Sequence, residues 1–391
     1  MMIAHILTAR EILGQLVSFR SVSRDSNLDM IAWIEQYLAC HGVESSRVHN
    51  EDGRKAALFA NVGPSVDGGV ILSGHSDVVP VDGQDWTTDP FTLVERDGRL
   101  YGRGTCDMKG FIALALAAVP LAVKAGLARP LQIAISYDEE TGCTGAPPMI
   151  AGMVAALPRA AAVIVGEPSG MKLVNGHKGG KGYKVHVKGF EVHSSLLPQG
   201  VSAIMEAARL VGWINDRNAE LQAKAASPVA AMFAPPHTTV HCGMFHGGTA
   251  HNITAGDCHF VMEFRIVPDE DEEVWCRAFE AEARRIEAAM RKVRPGTAIT
   301  LERFFDVPAL KPEPGGAAEA LVRRLTGENG ASVVSYGTEA GQFQAAGYSA
   351  VVCGPGDIAQ AHQPDEYLEL AQFQAGWAFV LRLIDDLRDP V

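Results

Sequence analysis

The sequence predicts an α/β protein, with a helix-covered, parallel-rich sheet in a main domain and an inserted α+β domain. Three observations support this fold class. Apolar strands alternate with helices in the first part of the chain, strands with one polar face follow residue 180, and α/β character returns near residue 308. At 391 residues the chain is long for one core, so we expect two domains.

The main domain is predicted to comprise residues 1–180 and 308–391. Its helices are predicted at residues 4–18, 28–41, 109–126, 144–156, 316–328 and 370–388. Its strands are predicted at residues 56–62, 69–74, 131–137, 161–166, 331–334 and 349–353. These strands are apolar on both faces, which is typical of a largely parallel sheet covered by helices on both sides.

The inserted domain is predicted at residues 181–307, after a glycine- and lysine-rich segment, "GHKGGKGYKV". The strand that begins there alternates apolar Tyr183, Val185 and Val187 with polar residues, as in an antiparallel sheet with one wet face. Further strands are predicted at residues 238–245, 256–266 and 297–305, and helices at residues 202–215 and 270–293.

Composition narrows the possible partners. The net charge of −12 argues against a nucleic-acid partner, which would need a basic face. The seven cysteines are scattered and contain no C-x-x-C, which favours free thiols in a reducing cytoplasm. The longest apolar run, residues 111–123, is too short to span a bilayer and contains Pro120, so it predicts a buried core helix and no membrane partner. We expect no secretory signal, because the N-terminus lacks a basic region and a cleavage site.

Imidazoles and carboxylates lie at the ends of several predicted strands or in the loops beside them. They are His75, Asp77, Asp107, Glu139, Glu140, Glu167 and His362. In a parallel-rich sheet the carboxyl ends of the strands share one edge, so we expect these side chains to converge. Imidazoles and carboxylates without a thiol suit Zn²⁺, Co²⁺ or Mn²⁺. Three carboxylates and one bridging hydroxide would balance the charge of two divalent ions, which favours a dinuclear site.

The chain resembles the co-catalytic zinc aminoacylase and carboxypeptidase family over essentially its whole length, which implies that the main domain is the catalytic, metal-binding domain and that the inserted domain is a lid or dimerisation domain. The segments "SGHSDVVPV", "GRGTCDMKG", "DEETGCTGAP", "GEP" and "QAHQPDE" follow the order of that family's motifs. The resemblance implies that His75, Asp107 and Glu167 hold one metal ion. It implies that Asp107, Glu140 and His362 hold the other, with Asp107 bridging the two and followed by a cis peptide bond.

The resemblance also assigns catalytic roles. Asp77 is expected to orient and polarise His75, and Glu139 is expected to be the general base. His193, in the inserted domain, is expected to reach the oxyanion of the transition state, in relatives often from the other subunit of a homodimer.

The implied reaction is hydrolysis of an N-acyl amino acid, with N2-acetyl-L-ornithine as the first candidate substrate in arginine biosynthesis. Asn252 and Arg265 match positions that hold a substrate carboxylate. Glu339 has two interpretations of equal weight, a partner for the ammonium group of ornithine or an exposed loop acid. Alternatives for the same site are another acyl amino acid deacylase, a desuccinylase, a dipeptidase or a carboxypeptidase. A non-catalytic binding protein is the alternative from another class, and the complete set of ligands with Glu139 argues against it.

Overall fold

The computed structural model describes residues 7–390, which form two compact units. The first unit contains the described residues up to Gly176, together with Pro312–Ser332 and the residues from Thr338 onward. The second unit contains His177–Lys311 and Val333–Gly337. Within residues 7–390, none of the helices combines the length and the apolar character needed to cross a bilayer.

The helices are numbered in chain order. They are α1 (Ala9–Ser18), α2 (Leu28–Cys40), α3 (Lys109–Ala125), α4 (Ala146–Ala156), α5 (Ala203–Ala223), α6 (Glu272–Val293), α7 (Ala317–Thr326), α8 (Ala340–Ala345) and α9 (Leu370–Asp386). The strands are β1 (Ser45–His49), β2 (Ala56–Val62), β3 (Gly69–His75), β4 (Val94–Arg96), β5 (Arg99–Tyr101), β6 (Leu131–Ser136), β7 (Ala160–Pro168), β8 (Val174–His177), β9 (Gly179–Lys188), β10 (Thr239–Gly247), β11 (Asp257–Ile266), β12 (Ala298–Val307), β13 (Ser332–Val334), β14 (Ala350–Gly354) and β15 (Tyr367–Glu369).

The main sheet has the strand order β1-β2-β6-β3-β7-β14-β8-β13. Its centre is parallel, because β3 pairs in parallel with both β6 and β7, and β7 pairs in parallel with β14. The strands β1 and β2 extend it in antiparallel pairing. Every residue of β3, β6 and β14 is buried, as expected for strands covered on both faces. The carboxyl ends of β3, β6, β7 and β14 therefore lie along one edge, and the candidate site is built there.

The helix α3 is the main apolar support of that sheet. It corresponds to the predicted core helix, and Phe111, Leu114 and Leu116 on it are at most 2% exposed. It packs against α1, α9 and the central strands. Because its first residue follows Asp107 by only two positions, the packing of α3 holds the loop that carries this carboxylate.

The second unit contains an antiparallel sheet with the strand order β10-β11-β9-β12. Tyr183, Val185 and Val187 of β9 are buried, whereas Lys184 and Lys188 are exposed. The apolar face packs on α5 and α6, and the other face carries the polar residues. This arrangement confirms the α/β class with a separate antiparallel sheet.

Several predicted boundaries were wrong. The first helix begins at Ala9 and not at residue 4, because Thr8 and Glu11 form a capping box that starts the helix; residues 4–6 of the prediction lie outside the described part of the chain. The helix predicted at residues 202–215 continues to Ala223. The prediction missed β1, β4, β5, β8, β15 and α8, which are short and lack a clear apolar period.

Candidate functional site

The site lies at the carboxyl edge of the main sheet, where the strand ends and neighbouring loops bring seven predicted residues together. His75 is the last residue of β3, Glu167 is near the end of β7, and Glu139 and Glu140 follow β6 by a short turn. Asp107 precedes α3, and the Asp107–Met108 peptide bond is cis, as predicted. His362 comes from the loop after β14 and is 48% exposed, whereas the other members of the site are largely buried.

His75 is buried and fixed through both nitrogens of its ring. Its Nε2 lies 3.0 Å from Asp107 Oδ1 and 3.7 Å from Glu167 Oε1. Its Nδ1 lies 2.9 Å from the backbone carbonyl oxygen of Asp77, and that carbonyl accepts the N–H when Nδ1 carries the proton. This tautomer leaves the Nε2 lone pair free for a metal ion, among two carboxylates.

Asp107 also contacts a second imidazole through its other oxygen. His362 Nε2 lies 3.3 Å from Asp107 Oδ2 and 3.1 Å from Glu140 Oε2. Asp107 therefore lies between His75 and His362 and presents one carboxylate oxygen to each. A carboxylate in this position can bridge two cations, and this is the geometry implied by the resemblance.

Asp77 stabilises the site in a way that differs in detail from the prediction. Its carboxylate lies 3.5 Å from His75 Nδ1, so the shorter contact of the imidazole is to the Asp77 carbonyl. The carboxylate instead accepts hydrogen bonds from the amides of Glu139 (3.2 Å) and Glu140 (3.4 Å) and from the Ser23 hydroxyl (2.7 Å). Asp77 thus positions both the imidazole and the two glutamates.

Asp138 sets the direction of the chain at these glutamates. Its φ of 57° is left-handed, a conformation that Asp tolerates better than most residues, and it turns the backbone sharply after β6. The Asp138 carboxylate forms an ion pair with Lys55, the residue before β2, and this contact stabilises the turn. The two glutamates consequently join different sets of candidate metal ligands. Glu139 lies with His75 and Glu167, and Glu140 lies with His75 and Asp107.

The packed carboxylates repel one another. Burial and the neighbouring negative charges raise the pKa of Glu139 and Glu167 well above the usual range, and burial and Asp107 raise the pKa of Glu140 to about 7. Hydrogen bonds to Asp107 and Glu140 raise the pKa of His362 to about 10. Divalent ions compete with protons for groups whose pKa is raised in this way, so metal binding would release protons.

Two observations indicate that these side chains can bind metal ions. Glu167 Oε1 is buried without a hydrogen-bond partner, and such an atom costs free energy unless a cation or another partner meets it. One donor atom from each of His75, Asp107 and Glu140 also lies within 4.8 Å of the others, and the same holds for His75, Glu139 and Glu167. Imidazole and carboxylate ligands suit Zn²⁺, Co²⁺ or Mn²⁺.

Two of the predicted residues lie together in the second unit. His193 forms a bridge to Ile253, and the Ser194 amide donates to the Asn252 carbonyl oxygen over 2.8 Å. The His193 ring contacts the Ser195 hydroxyl through Nδ1 at 2.8 Å, and the ring is exposed. His193 and Asn252 are therefore neighbours on one pair of loops.

Arg265 lies at the opposite end of β11 from these loops. Its guanidinium pairs with Glu263 at 3.0 Å and covers the Phe305 ring at 5.2 Å. Arg265 is eight positions along β11 from Asp257, or roughly 27 Å at 3.4 Å per residue. The second unit of one chain therefore does not bring Arg265 and Asn252 together.

Glu339 is not an exposed loop acid, and that interpretation was wrong. Its side chain is fully buried at the start of α8 and accepts hydrogen bonds from the hydroxyls of Ser73 and Ser136 on β3 and β6. Burial raises its pKa. Contact between Glu339 and the ammonium group of a substrate stays a prediction. For this contact, the ammonium group would have to reach the buried carboxylate past the ends of the strands.

The sequence analysis missed Glu366. Its buried carboxylate accepts hydrogen bonds from the amides of Cys106 (2.9 Å) and Asp107 (3.1 Å) and pairs with buried Arg103 at 2.7 Å. Glu366 follows His362 by four residues, so one segment supplies an imidazole and anchors the loop of Asp107. The sequence did contain a signal for Glu366. An Arg in a buried glycine-rich loop needs an acidic partner, and the segment "QPDE" near the C-terminus offers one.

Comparisons with known proteins show which family and which solved structures the chain is similar to. The pattern of peptidase family M20/M25/M40 matches residues 71–386. The chain is 36% identical over 371 residues to an acetylornithine deacetylase of Myxococcus xanthus, covering 92% of each chain. Among solved structures it is similar to an M20 family metallo-carboxypeptidase from Sulfolobus solfataricus, with TM-score 0.77 and 16% identity over 97% of this chain and 99% of that chain. It is also similar to a dinuclear metal binding peptidase of the M20 family from Bacillus subtilis, with TM-score 0.65 and 15% identity over 98% of both chains.

Glu366→Gln should lower both stability and metal affinity. The substitution leaves the Arg103 charge buried without its partner, a change that typically costs about 3–5 kcal/mol, and it weakens the anchor of Asp107. Glu369→Gln is the matched control, because its ion pair with Arg99 is partly exposed and should be worth less than about 1 kcal/mol. Chemical denaturation and metal titration check both variants. Equal effects at the two positions would contradict the role of Glu366.

Proposed function

Because the chain belongs to peptidase family M20/M25/M40, a family of metal-dependent hydrolases, we propose that it removes the acetyl group from N2-acetyl-L-ornithine. The products are L-ornithine and acetate, a step of arginine biosynthesis. The position of Asp107 between His75 and His362 supports the reaction class, because it suits two cations acting on one amide. The relative from Myxococcus xanthus supports the choice of substrate.

The proposal assigns two divalent ions to the site, Zn²⁺ first, with Co²⁺ and Mn²⁺ as alternatives. His75, Asp107 and Glu167 would hold one ion, and Asp107, Glu140 and His362 would hold the other. When bound, such ions polarise an amide carbonyl and lower the pKa of water. The orphaned oxygen of Glu167 and the raised pKa values of the glutamates support this assignment.

Glu139 is proposed as the general base, which takes a proton from the attacking water and delivers it to the leaving amine. Its backbone amide is held by Asp77 Oδ1, and its Oε1 lies 3.5 Å from the Cys143 thiol. Its raised pKa, which comes first from burial, places proton transfer closer to neutrality than for an exposed glutamate.

Substrate recognition is proposed to use Arg265 and Asn252 for the α-carboxylate, and Glu339 for the side-chain ammonium of ornithine. A guanidinium is suited to a carboxylate because it offers two parallel N–H donors. Glu339 brings a negative charge to the strand ends beside Glu139, where a cationic substrate would be favoured. His193 is proposed to stabilise the oxyanion of the transition state.

We also propose a homodimer, and the positions of these groups support it. An acyl amino acid is about two residues long and spans only about 7 Å, far less than the length of β11 between Arg265 and the Asn252 loop. Both groups can contact one substrate if they come from different chains. Phe190, Leu196, Leu197 and Ile253, near His193, are 39–46% exposed large apolar side chains, which is typical of an interaction surface. The proposed location is the cytoplasm, where the seven unpaired cysteines would remain reduced.

The substrate proposal predicts that the purified protein with Zn²⁺ or Co²⁺ hydrolyses N2-acetyl-L-ornithine faster than other acyl amino acids. A panel should include N-acetyl-methionine, a succinylated diamino acid and a dipeptide, each assayed with metal and after chelation. Faster cleavage of the succinyl compound or of the dipeptide would show that the proposed substrate is wrong and that the proposed reaction class is right. No metal-dependent cleavage of any of these amides would contradict the proposed function.

The two adjacent glutamates should have separable effects. Glu139→Gln keeps the shape of the side chain and removes the base, so it should retain both metal ions and lose about 10²–10⁴ in kcat. Glu140→Gln should instead lower the metal content, and excess metal should restore part of the activity. Metal analysis beside kcat distinguishes the two variants. The assignment is reversed if Glu139→Gln loses an ion while Glu140→Gln keeps both and is inactive.

The action of His193 from the partner chain can be tested by mixing two inactive proteins. His193→Ala and Glu139→Gln chains should each be inactive alone, and mixed dimers should contain one competent site. We expect activity to return after subunit exchange, up to about one quarter of the wild-type level if exchange is random. A mixture that stays inactive although heterodimers are detected would show that His193 acts within its own chain.

A further inference from the structure

The polar face of the antiparallel sheet carries three histidines side by side, and the hydrolytic site uses none of them. In the strand register, His246 of β10 lies opposite His259 of β11, and His259 lies opposite His186 of β9. Residues directly opposite in an antiparallel pair project from the same face. Three adjacent strands therefore present a row of imidazoles, two residues along β11 from Asp257.

The donor atoms of this row are already close together. His186 Nε2 lies 2.7 Å from Asp257 Oδ1, and the His186 and His259 rings are stacked with centroids 4.2 Å apart and an interplanar angle of 7°. One donor atom from each of these three side chains lies within 4.8 Å of the others. Because the two rings are parallel, one imidazole must turn out of the stack for both nitrogens to meet at one ion beside the carboxylate.

We propose that His186, Asp257 and His259 form a binding site for a divalent first-row transition metal ion. Two imidazoles and one carboxylate are ligands typical of Zn²⁺, Cu²⁺ and Ni²⁺, whereas Mg²⁺ and Ca²⁺ prefer all-oxygen sites. Donors of a tetrahedral ion bound at about 2.1 Å are about 3.4 Å apart. Binding at that spacing requires the His259 and Asp257 side chains to rotate, and both are exposed.

The backbone pairing of the strands fixes where His186 and His259 lie relative to each other. The β9–β11 pairing is continuous from Gly179 to Lys188, so the spacing of the two imidazoles is fixed by backbone hydrogen bonds and not by loops. His246 on the edge strand β10 is exposed and lies opposite His259 on the same face, outside the group of three donors. This proposal does not depend on the hydrolytic reaction, because none of its residues belongs to that site.

The other interpretation is that the cluster only stabilises the sheet, through the His186–Asp257 hydrogen bond and the stacked rings. Cross-strand pairs of this kind contribute about 0.2–1 kcal/mol. In that case, substitution would change stability slightly, and no metal ion would bind. The two interpretations therefore differ in the number of metal ions bound per chain.

The test is a count of Zn²⁺ on the full chain after the hydrolytic site has been loaded and excess metal removed. Equilibrium dialysis against Zn²⁺ should show one additional ion per chain for the wild type, and this ion should be lost in His186→Ala and His259→Ala. His241→Ala is the matched control: it is an exposed histidine on the same face of β10, but it lies opposite Glu263, four residues along β11 from His259. It should keep the additional ion.

A second readout identifies the ligands. Cu²⁺ added to the loaded protein should give an electron paramagnetic resonance spectrum with hyperfine splitting from imidazole nitrogens. His259→Asn, a milder change than alanine, should lose this splitting while circular dichroism and hydrolytic activity remain unchanged. The proposal is overturned if the wild type binds no additional ion, if His241→Ala loses it equally, or if the ion binds only by joining two molecules in sedimentation experiments.

Discussion

One buried carboxylate, placed between two imidazoles, is the group around which the other residues of this site are arranged. Asp107 presents Oδ1 to His75 and Oδ2 to His362, and Glu140 and Glu167 lie on either side. Burial, and then the neighbouring negative charges, raise the pKa of Glu140 and Glu167, so burying these carboxylates together is costly unless positive charge is supplied. In the proposed assignment two divalent ions would supply that charge, and when bound they would also polarise an amide carbonyl and a water molecule. The same crowding of acids would therefore account for both metal binding and the proposed chemistry.

The fold supports this carboxylate from several directions. Parallel strands deliver His75 and Glu167 to one edge, and α3 holds the loop that contains Asp107. Glu366 then bonds the Asp107 amide and joins that loop to the segment of His362. Asp77 performs a similar task for the two glutamates after β6. Most of the polar groups around the ligands thus fix backbone amides, which places the ligands without competing for their lone pairs.

Much of this arrangement was predictable from the sequence. The strands that lead to His75, Glu140 and Glu167 are apolar runs without alternation, which indicates burial on both faces, so the shared edge could be inferred. The buried position of Glu339 could not, because it depends on Ser73 and Ser136, which are distant in the sequence and come together only through the sheet. The strand β1 was missed for a related reason, since edge strands need no apolar period. The backbone contact between His75 and the Asp77 carbonyl also depends on the local turn, and residue type alone does not specify it.

The central claim is that Asp107 bridges two metal ions, and anomalous X-ray scattering at the zinc edge tests it most directly. Crystals grown with Zn²⁺ should show two anomalous peaks about 3.5–4 Å apart, one beside each oxygen of Asp107. His75 and Glu167 should contact one peak, and His362 and Glu140 the other, with Glu139 bound to neither. A single peak at full occupancy in excess Zn²⁺, or two ions bridged by Glu139 with Asp107 on only one of them, would contradict the account.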